Sequence, residues 1–428
     1  MSKASTVPSR STVWKMALIC GVLLSPVVYS SDLEIPDTSA ARRELLALLA
    51  ITPFAEPIQQ DFALPGAAPA SVSTEYQQGN RYLTVAPTSY GGVLANPGTY
   101  IIRQDMGSGE IDQVKVFLQA HPGAFVRVQP REGSRTTELE LHLGGALISQ
   151  RVPLPMTMER VVEAPFSDIV ERTTGQVPWD LAAPDFQASG YREIAAVVRD
   201  IRNHLPSLPD ADDGAMDADG AFVAIETLEA RVEGGGLNCS GFAKWVVDGF
   251  VSGVSGSLLP VAPLREGHPD LRGTAWTRRA DRWEDAYFGL DWTRNLARYA
   301  ERARSESPEL AGGEAFDVRN VRVARYREDV GFSMDSLRGV VYSLAVQQPG
   351  TWYLGSVNGP SADGTGRRHS HVVVVMPYFD TRGRYRPVVF ERNRETDLDD
   401  LAYRYPDHHV HLVELSGAGP FVPPKLPR

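Results

Sequence analysis

From about residue 80 to 165 apolar and polar residues alternate with the period of two that a half-buried strand requires. The runs are Thr99–Arg103, Val114–Leu118, Phe125–Val128, Leu139–Leu143 and Leu147–Val152. Gly107-Ser108-Gly109, Pro122-Gly123, Gly133-Ser134 and Gly144-Gly145 punctuate them, as turns should. An antiparallel β domain over 76–165 follows, and it holds no constellation of catalytic side chains. The period becomes helical over Tyr191–Leu205, where Ile194, Val197, Val198 and Ile201 recur, and again at Phe242, Trp245, Val246 and Phe250. Two further runs, His371–Met376 and Pro387–Asn393, flank a turn at Asp380-Thr381-Arg382-Gly383 and predict buried strands. The chain therefore reads as an α+β protein. A helical segment and Pro, Ala and Gly-rich linker over 31–75 precede the β domain. A mixed domain over 185–416 follows it, with a Trp- and Arg-rich helical insertion at about 260–335, and 417–428 is a Pro-rich tail.

The 428 residues suffice for two domains with extensions, and an apolar fraction of 43% is that of an ordinary globular chain. Lys and Arg number 43 against 53 Asp and Glu, a formal charge of −10. Nucleic acid is therefore not an expected partner, because its binding needs clustered cations to displace counterions. In the insertion, cations such as Arg278, Arg294 and Arg302 are interleaved with Asp281, Glu284 and Glu301 and read as solvated helix faces.

Lys3, Arg10 and Lys15 precede the apolar run Met16–Val28, and residues 1–30 read as a secretory signal peptide. The run is short for a membrane span, which takes about 20 residues. No stable span is expected after cleavage, and the mature protein should be periplasmic or secreted. Removing Cys20 would leave Cys239 as a lone thiol in an oxidising compartment.

That thiol sits in Gly234-Gly235-Gly236-Leu237-Asn238-Cys239-Ser240-Gly241-Phe242. The glycines end where the apolar stripe begins, so a helix should start at Asn238 or Cys239, with Asn238 as its cap. A cysteine in the first turn feels the positive end of the helix dipole, which favours thiolate and supplies N–H groups for an oxyanion. The glycines would let a substrate backbone approach the sulfur. The alternative is a packing cysteine, but Asn, Ser and Gly beside it argue for a nucleophile. His371, at the start of its strand, is the candidate base. Val389, Glu391 and Asn393 share one face of the next strand, so either Glu391 or Asn393 could orient the imidazole.

Asn-Cys-Ser-Gly opening an aromatic-rich helix resembles the NlpC-type cell-wall peptidases, whose usual form is Asp-Cys-Ser-Gly. Glu391-x-Asn393 on the strand after the histidine is similar to the CHAP amidases, where Cys, His, Glu and Asn form the centre in that order. The resemblance covers about 190–415. It implies a papain-like fold, no cofactor, a peptide or peptidoglycan substrate, and amide cleavage by Cys239, His371, Glu391 and Asn393. In that mechanism Ser240 is expected to contact substrate and Asn238 to cap the helix or bind substrate. The sequence departs from the pattern in the long Cys239 to His371 interval, in Asn238 where Asp is usual, and in lacking the upstream tyrosine segment.

Rival chemistries are narrower. His369 and His371 would lie on one strand face with His408, His409 and His411 downstream, which suggests zinc, but no acidic ligand is tied to them by spacing. Read from Ala215, Asp217, Asp219, Gly220 and Glu226 fall at positions three, five, six and twelve of a calcium loop, with the first ligand missing. A solvated acidic turn is the expectation, and no metal. From another class, the chain could be a non-catalytic envelope module that meets an envelope protein partner through the β domain.

Overall fold

Eight strands pair in chain order, each antiparallel to the next, in the computed structural model of the protein. The model describes residues 37–51, 57–63, 68–88, 97–118, 122–268, 289–305, 312–360, 366–416 and 420–427. The strands are β1 (Gln59–Phe62), β2 (Ala70–Gln77), β3 (Asn80–Pro87), β4 (Pro97–Asp105), β5 (Ile111–Leu118), β6 (Phe125–Pro130), β7 (Thr137–Leu143) and β8 (Ala146–Leu154). The sheet thus begins inside the segment expected to be linker. Alternation buries one face, through Val72, Leu83, Val85, Ile102, Val114, Val116, Val126, Leu139 and Leu141. The helix α1 (Ser39–Ile51) is tied to α2 (Met158–Glu163) by a buried Arg42. Its guanidinium donates to the Val162 carbonyl at 2.7 Å and to that of Ala164, and lies 3.7 Å from the Tyr100 ring centre. A cation at a helix C-terminus satisfies carbonyls that have no partner within the helix.

After α3 (Phe166–Thr173) and α4 (Ser189–His204) come a small hairpin, β9 (Ala215–Met216) with β10 (Phe222–Val223), then α5 (Cys239–Ser255) and α6 (Leu290–Arg304). The remaining elements are β11 (Phe332–Ser333), α7 (Met334–Gln347), β12 (Thr351–Pro360), β13 (Arg367–Phe379), β14 (Tyr385–Glu391), β15 (Arg394–Asp397), α8 (Leu398–Arg404) and β16 (His409–Ser416). They build an antiparallel sheet in the order β11-β16-β12-β13-β14-β15. One face, with Leu354, Val372, Val374 and Met376, joins Phe242, Ala243 and Val246 of α5. The other, with Tyr353, Val357, Val373 and Val375, meets Leu337, Val340 and Val341 of α7 and Leu401 of α8. Both faces are covered, which is why β13 is an unbroken apolar run.

The core beneath α5 is continuous with that of the eight-stranded sheet, and residues 35–428 form one compact unit. The segment between the two predicted domains, 165–184, is packed: Trp179 and Leu181 are buried, and Tyr342 donates from α7 to the Leu181 carbonyl at 3.1 Å. The two parts therefore share a core, where sequence alone suggested separate domains.

The helix α5 is buried from Cys239 through Val251. Its internal cation Lys244 donates to Asp248 at 2.6 Å, and Asp248 also accepts the Leu259 N–H at 2.9 Å. Residues 420–427 cross it as a strap. The Val422 N–H reaches the Gly249 carbonyl at 2.8 Å, and Trp245 Nε1 donates to the Pro424 carbonyl at 3.3 Å. A Cβ on Gly249 would stand 2.2 Å from the Phe421 ring, so only glycine admits the strap there. The expected signal peptide with Cys20, and the insertion residues Arg278, Asp281 and Glu284, lie outside the described residues. The described part of the insertion holds α6, two short 3₁₀ turns, Ala262–Arg265 and Gly313–Phe316, irregular chain and β11, and α6 is buried from Leu290 through Ala297, Arg294 included, where solvated faces were expected.

Candidate active site

Asn238 caps α5. Its backbone is extended, and its Oδ1 accepts the Gly241 N–H at 2.8 Å. Cys239 therefore occupies the first helical position, where the thiol meets the positive end of the dipole. The glycine run serves backbone packing more than substrate approach. A Cβ on Gly236 would fall 2.8 Å from the Asp210 backbone, and one on Gly241 2.0 Å from the Gly214 carbonyl. The same carbonyl accepts the Asn238 N–H at 3.1 Å. From the other side, Trp292 of α6 donates to the Ser240 carbonyl at 3.1 Å. The helix start is thus held by strand, loop and neighbouring helix together.

His371 lies near the start of β13, and its imidazole and the Cys239 thiol each favour the charged form of the other. Its Nε2 donates to Glu391 Oε2 at 2.8 Å, which leaves Nδ1 for the sulfur. Glu391, the last residue of β14, is 2% exposed. It accepts from Arg394 at 2.9 Å and from both terminal nitrogens of Arg404, Nη1 at 3.2 Å. The Tyr405 ring stacks on His371 with centroids 6.0 Å apart.

The charges reinforce one another. Burial alone would push the Cys239 thiol up, but the bond and charge of His371 outweigh it and hold the thiol below its ordinary value. The Val372 N–H and the Ser240 hydroxyl act in the same direction. Burial alone would lower His371, yet Cys239 and Glu391 raise it to about 9. Burial opposes ionisation of Glu391, and His371 and Arg404 overcome this, bringing it down to about 2. The arrangement is a line of thiol, imidazole and carboxylate in which each group favours the charged form of its neighbour.

The other residues singled out in the sequence fall differently. β14 ends at Glu391, and Arg392-Asn393 form a two-residue turn to β15, with Arg392 in the left-handed region at φ 48°. Asn393 donates to the Leu208 carbonyl at 3.1 Å, so it braces the turn and leaves Glu391 alone beside the imidazole. Asn238 and Ser240 are 2% and 0% exposed, with Asn238 capping α5 and the Ser240 hydroxyl acting on the Cys239 thiol. His369 and His371 do not share a strand face. Pairing with β12 shifts register between Val357 and Asn358, so that Val357 meets His371 and Asn358 meets His369. This bulge at Ser370 reverses the alternation. His369 is bonded instead to Ser356 at 2.8 Å and to the Asp329 carbonyl at 2.8 Å. His411, fully buried, contacts the Tyr326 hydroxyl and lies 3.5 Å from Asp317.

Asp217 and Asp219 belong to the β9–β10 turn, where they accept the Val261 and Ala221 N–H groups. Among the described residues no group of three or more His, Cys, Asp or Glu is arranged to hold a metal ion. Also among them, no helix is long and apolar enough to cross a membrane.

Sequence reasoning missed Arg394, Arg404 and Tyr405. Arginines three and thirteen residues beyond the end of β14 carry no periodic signal, and only the fold of α8 returns Arg404 to Glu391. Comparison with known proteins reaches the other part of the chain. Residues 31–181 match a family model described as a domain of unknown function, DUF8515. This covers the eight-stranded sheet and stops before α4. No curated protein and no solved structure matches the chain.

Proposed function

We propose that the protein is an exported cysteine hydrolase that cleaves amide bonds, with Cys239 as nucleophile, His371 as base and acid, and Glu391 as the group that orients His371. The observation that carries the reading is the Cys239 thiol at a capped helix start, beside an imidazole whose far nitrogen a buried carboxylate holds. The Cys239 thiolate attacks the amide carbonyl carbon, and the π electrons move onto oxygen. The Cys239 backbone N–H, at the helix end, receives that oxyanion. As the tetrahedral adduct collapses, the imidazolium gives its proton to the leaving amine and a thioester remains. Water, its proton taken by His371, then attacks the thioester and frees the acid.

A papain-like fold suits a cysteine-bearing helix laid on an antiparallel sheet that carries the base. The likeness of Asn-Cys-Ser-Gly to NlpC-type motifs, with Glu391 placed as in CHAP amidases, supports peptides of the cell wall as substrate. A periplasmic or secreted location rests on the apolar run behind Lys15.

Alkylation tests the reading in the full chain carrying Cys20→Ser, where a single thiol reports. Cys239 is expected to keep reacting well below the free-thiol value of about 8.5, and His371→Ala to abolish that low-pH reaction. One observation favours a second reading, a non-catalytic envelope binding module: Cys239 is only 7% exposed. Reaction confined to high pH in both proteins would select it.

A further inference from the structure

The carboxylate beside the base is more heavily committed than orientation requires. Glu391 Oε2 takes His371 Nε2 and Arg404 Nη1, while Oε1 takes Arg394 Nη2 and Arg404 Nη2. Arg404 is in turn fixed by Asp400, whose Oδ2 accepts from Nε at 3.1 Å. The next residue, Tyr405, covers one face of the imidazole, its ring 29° from parallel, and His408 meets Tyr405 edge-on at 5.1 Å. The charged and titratable groups around His371 and Glu391 are thus Cys239 from α5, Arg394 from β15, and Arg404, Tyr405 and His408 from α8 and the segment after it.

We propose that Arg404 and Tyr405 are positioning residues, a two-residue latch in which Arg404 holds Glu391 and moderates its charge while Tyr405 braces the plane of the imidazole. The proposal rests on the reading of Cys239 and His371 as a working pair. A lone buried carboxylate would raise the basicity of the imidazole further and make the imidazolium a weaker acid toward a leaving amine. Two guanidinium groups sharing that carboxylate weaken its hold while fixing its direction. Consecutive residues at one helix end deliver both functions, so the latch closes as a unit when α8 docks.

The test uses the full chain with Cys20→Ser, the pH dependence of iodoacetamide alkylation and the NMR titration of the His371 imidazole. Arg404→Met removes a cation within a few ångströms of the carboxylate and is expected to move the imidazole titration up by about one unit. Arg404→Lys keeps the charge and should hold it near the wild-type value. Tyr405→Leu is expected to slow alkylation at pH 6 about tenfold through loss of thiolate, whereas Tyr405→Phe retains the ring and the rate.

A merely structural role predicts the opposite sign at Arg404, because a loosened site lets the imidazole fall toward its ordinary value. Wild-type protein with a low-pH thiolate, together with an Arg404→Met titration that stays or falls, overturns the latch alone. Equal rates for Tyr405→Leu and Tyr405→Phe overturn the bracing role. Wild-type protein without a low-pH thiolate overturns the latch and the proposed function together.

Discussion

His371 and His411 each stand near a carboxylate in the same sheet, yet their imidazoles are driven in opposite directions. His371, beside Glu391 and Cys239, is raised to about 9, whereas burial lowers His411 despite Asp317 at 3.5 Å. Both carboxylates are shared with arginines: Glu391 with Arg394 and Arg404, Asp317 with Arg294 and Arg319. What separates the sites is the second partner. The far nitrogen of His371 meets a thiol that can itself become an anion, and the side chain keeps 15% exposure. His411 meets the neutral hydroxyl of Tyr326, is sealed from water, and has Arg294 opposing its charge. A neighbouring carboxylate therefore does not by itself make a cationic histidine. In this fold the thiol beside His371 and the full burial of His411 set the two imidazoles apart.

The largest effect is expected on the scaffold side. Asp317→Asn removes the main partner of Arg294, whose side chain is 1% exposed, and leaves it with Asp329 at 3.2 Å. Breaking a buried ion pair costs about 3–5 kcal/mol, to be read as a lowered urea midpoint. The alkylation profile of the protein that remains folded should not change. A shifted profile would show that the two sites are coupled.

The next effect sharpens the contrast by making His371 more like His411. Cys239→Ala removes the anionic partner and should lower the imidazole titration from about 9 by about 1–2 units, measured by NMR. The sign for stability follows. His371 is raised in the folded state, so its contribution is complete below the unfolded value of about 6.5 and fades as pH rises through about 9. In Cys239→Ala the alkaline loss begins at lower pH. An unmoved titration would mean that Glu391 alone sets the imidazole.

The smallest effect concerns Asn393. Asn393→Ala gives up one hydrogen bond to the Leu208 carbonyl, about 1 kcal/mol, and should leave alkylation at pH 6 as in the wild type. A large fall in that rate would return Asn393 to the orienting role.

The strands β4–β8 were legible because one buried face imposes strict alternation, and the start of α5 because a glycine run meets an apolar stripe at a capping asparagine. The strand β2 escaped because Ser71 and Ser73 face outward and a threonine, Thr74, follows Ala70 and Val72 on the inner face, so Ala70–Gln77 resembles the linker before it. The helix start at Cys239 and the strands carrying His371 and Glu391 were readable from their local settings, with Glu391 and Asn393 left as alternatives beside the imidazole. The place of Asn393 was not, since a period of two cannot foresee a turn made without glycine. The bulge at Ser370 likewise leaves no mark in the order of residues, yet it separates His369 from His371. Arg404 and Tyr405 are brought to the site by tertiary structure alone.

The strap over α5 also places the assembly of the centre in time. The helix carrying Cys239 is complete in a growing chain long before β16 has slotted between β11 and β12 and before residues 420–427 have crossed Gly249. Long-range pairings of this kind form slowly and close the fold last. A translation product ending before residue 409 would contain Cys239, His371, Glu391, Arg404 and Tyr405 and still lack the packing that brings them together. In that order Cys239, His371 and Glu391 come together only once the C-terminal strand and strap are in place.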